Sequence, residues 1–206
     1  MTQRLNIHPQ NPQPRLIRQV VDLVKAEGLL VYPTDSCYAF GCSLGNLAAS
    51  RAIGQIRQIG KNHNFTLMCR DLSEIAIYAR LENWMYRLLR SQTPGPFTFI
   101  LKATRDVPRR LQNPKRKTIG IRVPQHPVTE AILTELGEPI MSSTLLLPGS
   151  DLPLNDPDVI YARLEGRIDM LVDSGSCGVE PTTVVDLTSD FPVVVRAGKG
   201  DTQAFG

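Results

Sequence analysis

The sequence lacks most of the features that would assign it at sight. No run of about 18 apolar residues occurs, so no helix is expected to span a membrane. The opening residues, MTQRLNIHPQNPQPR, contain no apolar stretch of signal-peptide length; no export is expected, and the cytoplasm is the expected compartment. The four cysteines, Cys37, Cys42, Cys69 and Cys177, show no C-x-x-C spacing. His8, His63 and His126 are too scattered to complete a zinc set with them, so reduced thiols and no protein-ligated metal are expected. Neither nucleotide fingerprint is present: there is no G-x-x-x-x-G-K-[ST], and no G-x-G-x-x-G opening a helix after a strand. Internal repeats, low-complexity segments and an interdomain linker are all absent. The net charge of +3 permits an anionic partner without demanding one.

What is present reads as one ordinary globular domain: 206 residues, 42% apolar and 21% charged. Apolar positions 16, 17, 20, 21, 23 and 24 have helical spacing, with Gly28 where a helix stop is expected. An apolar strand over 29–32 follows, then a helix in NLAASRAIGQIRQ and a buried strand in FTLMC. Asp71 and Glu74 form a capping-box pattern for a third helix, and ENWMYRLLRS reads as a fourth. TFILKA and TIGIRV read as strands, PVTEAILTEL as a helix and PIMSST as a strand. Asp156 and Pro157 mark the start of another helix, and IDMLVD, TTVVDLT and FPVVVRAG close the chain as strands. Helices alternate with strands early and strands cluster late, which predicts a single α/β domain with a mixed sheet.

Polar residues at strand ends carry the chemical signal, because ligands of open α/β sheets sit beyond such ends. They are Thr34, Arg122, Ser142, Ser143, Thr144, Thr182, Thr183 and Arg196. Hydroxyls and two guanidinium groups converging on one place would suit an anionic polar ligand. The competing reading makes each a strand-end turn residue. In LLVYPTDSCYAFGC (29–42), Cys37 could be a nucleophile only with a base and a lowered pKa, and His63 is the one histidine offered for that role; a small buried hydrophobe is the alternative. RDVPRRLQNPKRK (105–117) carries six cations against one Asp and could follow a phosphate backbone, or be a solvated, mobile loop. No aromatic residue is interleaved there, so base stacking is not supported.

Five ordered segments resemble the YrdC/YciO-like family. YPTDSCYAFG resembles its P-T-D-T-x-Y-G-L-G opening, TPGPFTFIL its P-G-P-x-T, TIGIRVPQHP its x-R-x-P-x-H-P, PTTVVDLT its P-S-T-[IV]-V-D, and VVVRAGKG its terminal R-x-G. KNHNFTLMCRDL is close to a segment marking the YciO branch. The resemblance implies an α/β domain with a twisted mixed sheet flanked by helices and a concave basic face. That domain is expected over 14–200, with an N-terminal extension (1–13) and a C-terminal tail (201–206). It also implies binding of nucleotide and amino acid. Members that are threonylcarbamoyl-AMP synthases join ATP, L-threonine and bicarbonate for tRNA modification. There the carbamate attacks the ATP α-phosphorus, with cations and Mg²⁺ stabilising the reaction and no covalent enzyme intermediate. Other members are described as binding double-stranded RNA.

Carried onto this sequence, the resemblance puts Thr34, Arg122, Ser142 and Thr182 on the amino-acid side. Arg57, Thr118, Thr144, Ser150 and Arg196 fall on the nucleotide side, where ATP or AMP would bind. Arg109, Arg110, Lys115 and Arg116 are the candidates for double-stranded RNA or tRNA. The synthase K-x-R reads Arg57-Gln58-Ile59 here, and S-x-N reads Thr144-Leu145-Leu146. Two polar groups are deleted, each worth about 1.5–3 kcal/mol toward a charged ligand. Weak or altered synthase activity is therefore expected. The alternatives are an RNA-binding protein without that activity, and a hydrolase of an adenylate in the same pocket.

Overall fold

In a computed structural model, residues 1–60 and 63–205 are described. Lys61 and Asn62, which open the KNHNFTLMCRDL segment, and Gly206, in the expected tail, lie outside them. The periodic segment becomes helix α1 (Pro14–Lys25), which buries Ile17, Val20, Val21 and Val24 and starts on a proline whose missing N–H costs nothing there. The helix stop has a different cause from the one expected. Glu27 takes the left-handed conformation, at φ 62°, whereas Gly28 is required by close approach: a Cβ there would lie 2.6 Å from Leu23 Cγ.

Among the described residues ten strands form one mixed sheet in the order β1-β8-β2-β3-β7-β4-β6-β5-β9-β10. They are β1 (Gln3–Asn6), β2 (Leu30–Tyr32), β3 (Ala39–Ser43), β4 (Thr66–Met68) and β5 (Phe97–Lys102), then β6 (Thr118–Arg122), β7 (Ile140–Thr144), β8 (Met170–Asp173), β9 (Thr183–Asp186) and β10 (Val193–Arg196). The mixed sheet expected from the order of elements is what forms: β1, β2 and β8 pair in parallel, as do β4 with β6 and β5 with β9, and the remaining pairs are antiparallel. Two strands escaped the sequence reading. β3 continues directly from the polar turn, and β1 brings part of the expected N-terminal extension into the sheet, pairing Gln3–Asn6 with Met170–Asp173.

The remaining helices are α2 (Leu47–Arg57), α3 (Leu72–Tyr78), α4 (Asn83–Gln92), α5 (Pro127–Leu136) and α6 (Pro157–Leu164). Asn46 caps α2 by accepting from the Ala49 N–H, and Asp156 caps α6 by accepting from Asp158. Asp71 caps α3 as expected, but Glu74 reaches back to the Arg70 N–H, one residue before the cap.

Side-chain alternation splits the core in two. Leu30, Tyr32, Ile140, Met170 and Val172 face α1 and α5, while Val31, Met141, Leu171, Phe99, Ile121 and Val185 pack with α2, α3, α4 and α6 on the other face. Helices α1 and α5 cover only the β1–β7 half of their face. Met68 of β4 still joins that cluster, but over Thr66 and over β6, β5 and β9 the same face is left open, and the cleft lies there. Among the described residues no helix is long and apolar enough to cross a membrane.

Candidate functional site

The open face is floored by alternate strand residues whose neighbours fill the core: Thr66 and Met68 of β4, Thr98 and Ile100 of β5, and Thr118, Gly120 and Arg122 of β6. Gly120 keeps this floor low, because a Cβ there would approach Thr66 Oγ1 and Thr98 Cγ2 at 3.3 Å. Ser142, Ser143 and Thr144 of β7 make one wall; the turn after β2 and the segment around Thr182 make others. The cleft measures about 410 Å³, within the range of sites for small ligands.

The turn at 34–37 is both a turn and part of the cleft wall. Thr34 is 2% exposed, donates to the Cys37 carbonyl at 2.6 Å, and accepts from the Ser36 and Cys37 N–H groups at 3.2 Å. Its hydroxyl is thus committed to the local fold. Arg122 is 5% exposed; one terminal nitrogen donates to Ser36 Oγ at 3.1 Å and the other pairs with Asp35. Arg122 Nε and Asp35 Oδ2 are buried without a partner. Lys199 donates to the Asp35 carbonyl, tying the C-terminal segment to the turn. Ser142 is also committed, accepting from Tyr32 Oη at 2.9 Å and donating to the Phe40 carbonyl at 3.0 Å. Thr182 shares a 2.8 Å hydrogen bond with Thr98, and Arg196 donates to the Thr182 carbonyl at 2.8 Å.

At the other end, Arg57 Nε donates to the Leu146 carbonyl at 3.2 Å. Its guanidinium also meets Ser143 Oγ and lies 3.1 Å from His63 Nε2, which is 3.0 Å from the same Ser143 Oγ. Burial lowers the pKa of Arg57. Burial, then the Arg57 charge, lowers that of His63 to about 4, so the ring is neutral at neutral pH. His63 therefore meets Ser143 and not Cys37, the partner considered from sequence. The Cys37 thiol is buried, bonds only to Ser36 Oγ at 3.7 Å, and has its pKa raised by that burial. It has the environment of a packing residue rather than of a thiolate.

Of the residues named from sequence, Thr34, Arg57, Thr118, Arg122, Ser142, Thr144, Thr182 and Arg196 all line this cleft. Ser150 does not; its neighbour Asp151 does. Arg116, assigned from sequence to RNA, lines the cleft and is held at 2.6 Å by Asp186 and 2.7 Å by Thr188. Arg109, Arg110 and Lys115 are exposed, and Arg110 is bonded to the Gly45 carbonyl. The loop carrying them is anchored rather than mobile: Val107 and Leu111 enter the core, and Asn113 Oδ1 accepts from the Lys115 and Arg116 N–H groups at 3.1 and 3.0 Å. Leu111 and Asn113 place the loop on the cleft rim. Sequence reasoning missed Ser36, Thr66, Thr98 and the His63–Ser143 contact. The available signal was a polar residue alternating with core residues inside otherwise apolar strands. Leu146, at the lost S-x-N asparagine, lines the cleft, whereas Ile59, at the lost K-x-R arginine, packs on the core.

YciO of Escherichia coli K12 is 53% identical over 205 residues, covering 100% of both chains, and its crystal structure superposes with a TM-score of 0.95. A crystal structure of P. abyssi Sua5 complexed with L-threonine matches with a TM-score of 0.86 at 21% identity, over 96% of this chain and 58% of that one. Full-length HypF in a phosphate- and nucleotide-bound form matches with a TM-score of 0.75 at 15% identity, over 88% of this chain and 29% of that one. These last two likenesses are of fold. The Sua5/YciO/YrdC family model, described as "Telomere recombination", matches residues 22–198, and with the full-length identity to YciO this shows that the chain belongs to the Sua5/YciO/YrdC family.

Proposed function

We propose that the cleft binds an adenine nucleotide and an amino acid side by side, and that the chain turns them over to threonylcarbamoyl-AMP only weakly. The observation that carries this reading is Arg122: a cleft-lining guanidinium, 5% exposed, whose Nε–H has no partner among the described residues. A buried donor left unpaired costs about 1–3 kcal/mol, which a ligand carboxylate or carbamate accepting from Nε would recover. Arg57, Arg116 and Arg196 line the same cleft and suit phosphate oxygens. The fold relatives that hold L-threonine and a nucleotide give a precedent for both halves.

The donor set also bears on Mg²⁺. Among the described residues no group of three His, Cys, Asp or Glu side chains stands ready to hold a metal. The lining fits an ion that arrives on the nucleotide's phosphates, where it would neutralise charge, rather than one resident in the protein. Leu146 in the lining offers no hydrogen bond to a nucleotide, which supports weak synthesis from ATP, threonine and bicarbonate.

Titration calorimetry tests the reading. AMP should bind in the micromolar-to-millimolar range, threonine should tighten it, and Arg122→Gln should abolish the threonine effect. No heat with either ligand at millimolar concentration would refute it.

A second reading concerns the rim. Arg109 and Lys115 are exposed on a fixed loop beside the cleft, an arrangement that suits the phosphate backbone of a double-stranded RNA or tRNA.

A further inference from the structure

We infer that Ser143 and His63 form a hydrolytic dyad, with Arg57 polarising the serine, that cleaves acyl- or carbamoyl-adenylates in the cleft. The inference rests on the nucleotide reading above and adds to it a reaction and a nucleophile.

Among the described residues, Ser143 is the cleft hydroxyl that meets a histidine. Thr34 and Ser142 are committed to backbone carbonyls, and Thr182 to Thr98. Ser143 Oγ instead lies 3.0 Å from His63 Nε2 and receives the Arg57 guanidinium. Arg57 N–H donating to Oγ, and Oγ–H donating to Nε2, is the arrangement of an activated alcohol: a base to take its proton and a cation to stabilise the alkoxide. This arrangement requires the His63 tautomer with Nε2 unprotonated, which the neighbouring Arg57 nitrogen also favours at 3.1 Å. All three residues line the cleft, so the hydroxyl is next to any ligand bound there.

The substrate class follows from the strength of the base. A ring beside a guanidinium is a weak base, and it suits only a substrate whose leaving group departs without being protonated. A phosphate ester anion leaving from a mixed anhydride meets that requirement; an amide nitrogen does not. In the first step Ser143 Oγ attacks the acyl carbon, its proton passes to His63 Nε2, and the bond from the acyl carbon to the phosphate oxygen breaks. AMP leaves with the electron pair. His63 Nε2 then gives that proton to solvent, and in the second step water attacks the acyl-serine ester while His63 takes a proton from the water; the serine oxygen leaves, regains a proton from His63, and the carboxylic or carbamic acid is released with Ser143 restored. The sum is acyl-AMP plus water giving acid plus AMP, with no redox change.

Synthetic acetyl-adenylate is the probe, and AMP release is followed chromatographically. The wild-type protein should release AMP at least a hundredfold faster than buffer, and His63→Gln and Ser143→Ala should each remove most of that gain. The rate should be level around neutral pH and fall as pH approaches about 4, where His63 takes up its proton. Acid quenching during turnover should leave an acetyl group on the peptide carrying Ser143, a readout independent of how well the variants fold. Unchanged turnover in folded Ser143→Ala overturns the dyad. So does wild-type protein that binds AMP by calorimetry yet releases none from the probe. Failure of both AMP binding and release would overturn the nucleotide reading together with the dyad.

Discussion

His63 is neutral because of where it sits. Burial, then the Arg57 charge, brings its pKa from 6.5 to about 4. The unfolded chain therefore takes up a proton near pH 6.5 that the folded chain accepts only near 4. The stability tied to this group is complete above pH 6.5 and is lost as pH falls toward 4. Allowing for the partial exposure of the ring, the loss should be about 1–2 kcal/mol. Urea denaturation at pH 7 and pH 4.5 measures it, and His63→Gln should show a smaller loss than wild type; an equal loss would place the titration elsewhere. Residues of this kind resist reading from sequence. His63 stood out as a candidate base, but Cys37 and Ser143 are both small residues ending or following apolar strands. Only the fold decides that the ring meets the serine.

Elements with strong periodicity or caps were legible, because their signals are local: α1 by spacing, α6 by Asp156 and Pro157, and β2 by its apolar run. β3 was not. AFGCS is short and centred on Gly41, a residue that disfavours strands in isolation. The glycine is there because a Cβ would lie 2.6 Å from Tyr32 Cε1 and 2.9 Å from Ile140 Cγ2, a constraint set by neighbours 9 and 99 positions away in sequence. The 105–117 loop shows the same limit. Its charge was visible, but not that Arg110 and Arg116, though exposed, are engaged by Gly45 and Asp186. RNA binding on the rim should therefore draw on Arg109 and Lys115, which are exposed and not engaged in this way. Replacing Arg109 and Lys115 with Ala should flatten the plot of log affinity against log salt by about 0.9 for each phosphate no longer neutralised. Anisotropy titrations of a double-stranded RNA at several salt concentrations measure this, and an unchanged slope would exclude the loop as the RNA surface.

At the scale of the whole molecule, the cleft exists because two helices cover only half of one sheet face. Thr34, Arg57, Arg122, Ser142, Thr182 and Arg196 come from across the chain and meet only when β4, β6, β5 and β9 are set beside β7. The family resemblance pointed to most of these residues; composition and spacing gave only their positions at strand ends. The hydroxyls of Thr66 and Thr98, at the starts of β4 and β5, became visible as cleft floor once register put them on the open face. As proposed above, this open face is a two-ligand site with Arg122 at its amino-acid end. A crystal of the protein soaked with AMP and L-threonine tests it most directly. The account predicts both ligands in the cleft, with a threonine carboxylate oxygen within hydrogen-bond distance of Arg122 Nε and the AMP phosphate near Arg57 or Arg196. An empty cleft at saturating ligand, or ligands bound elsewhere on the protein, would contradict it.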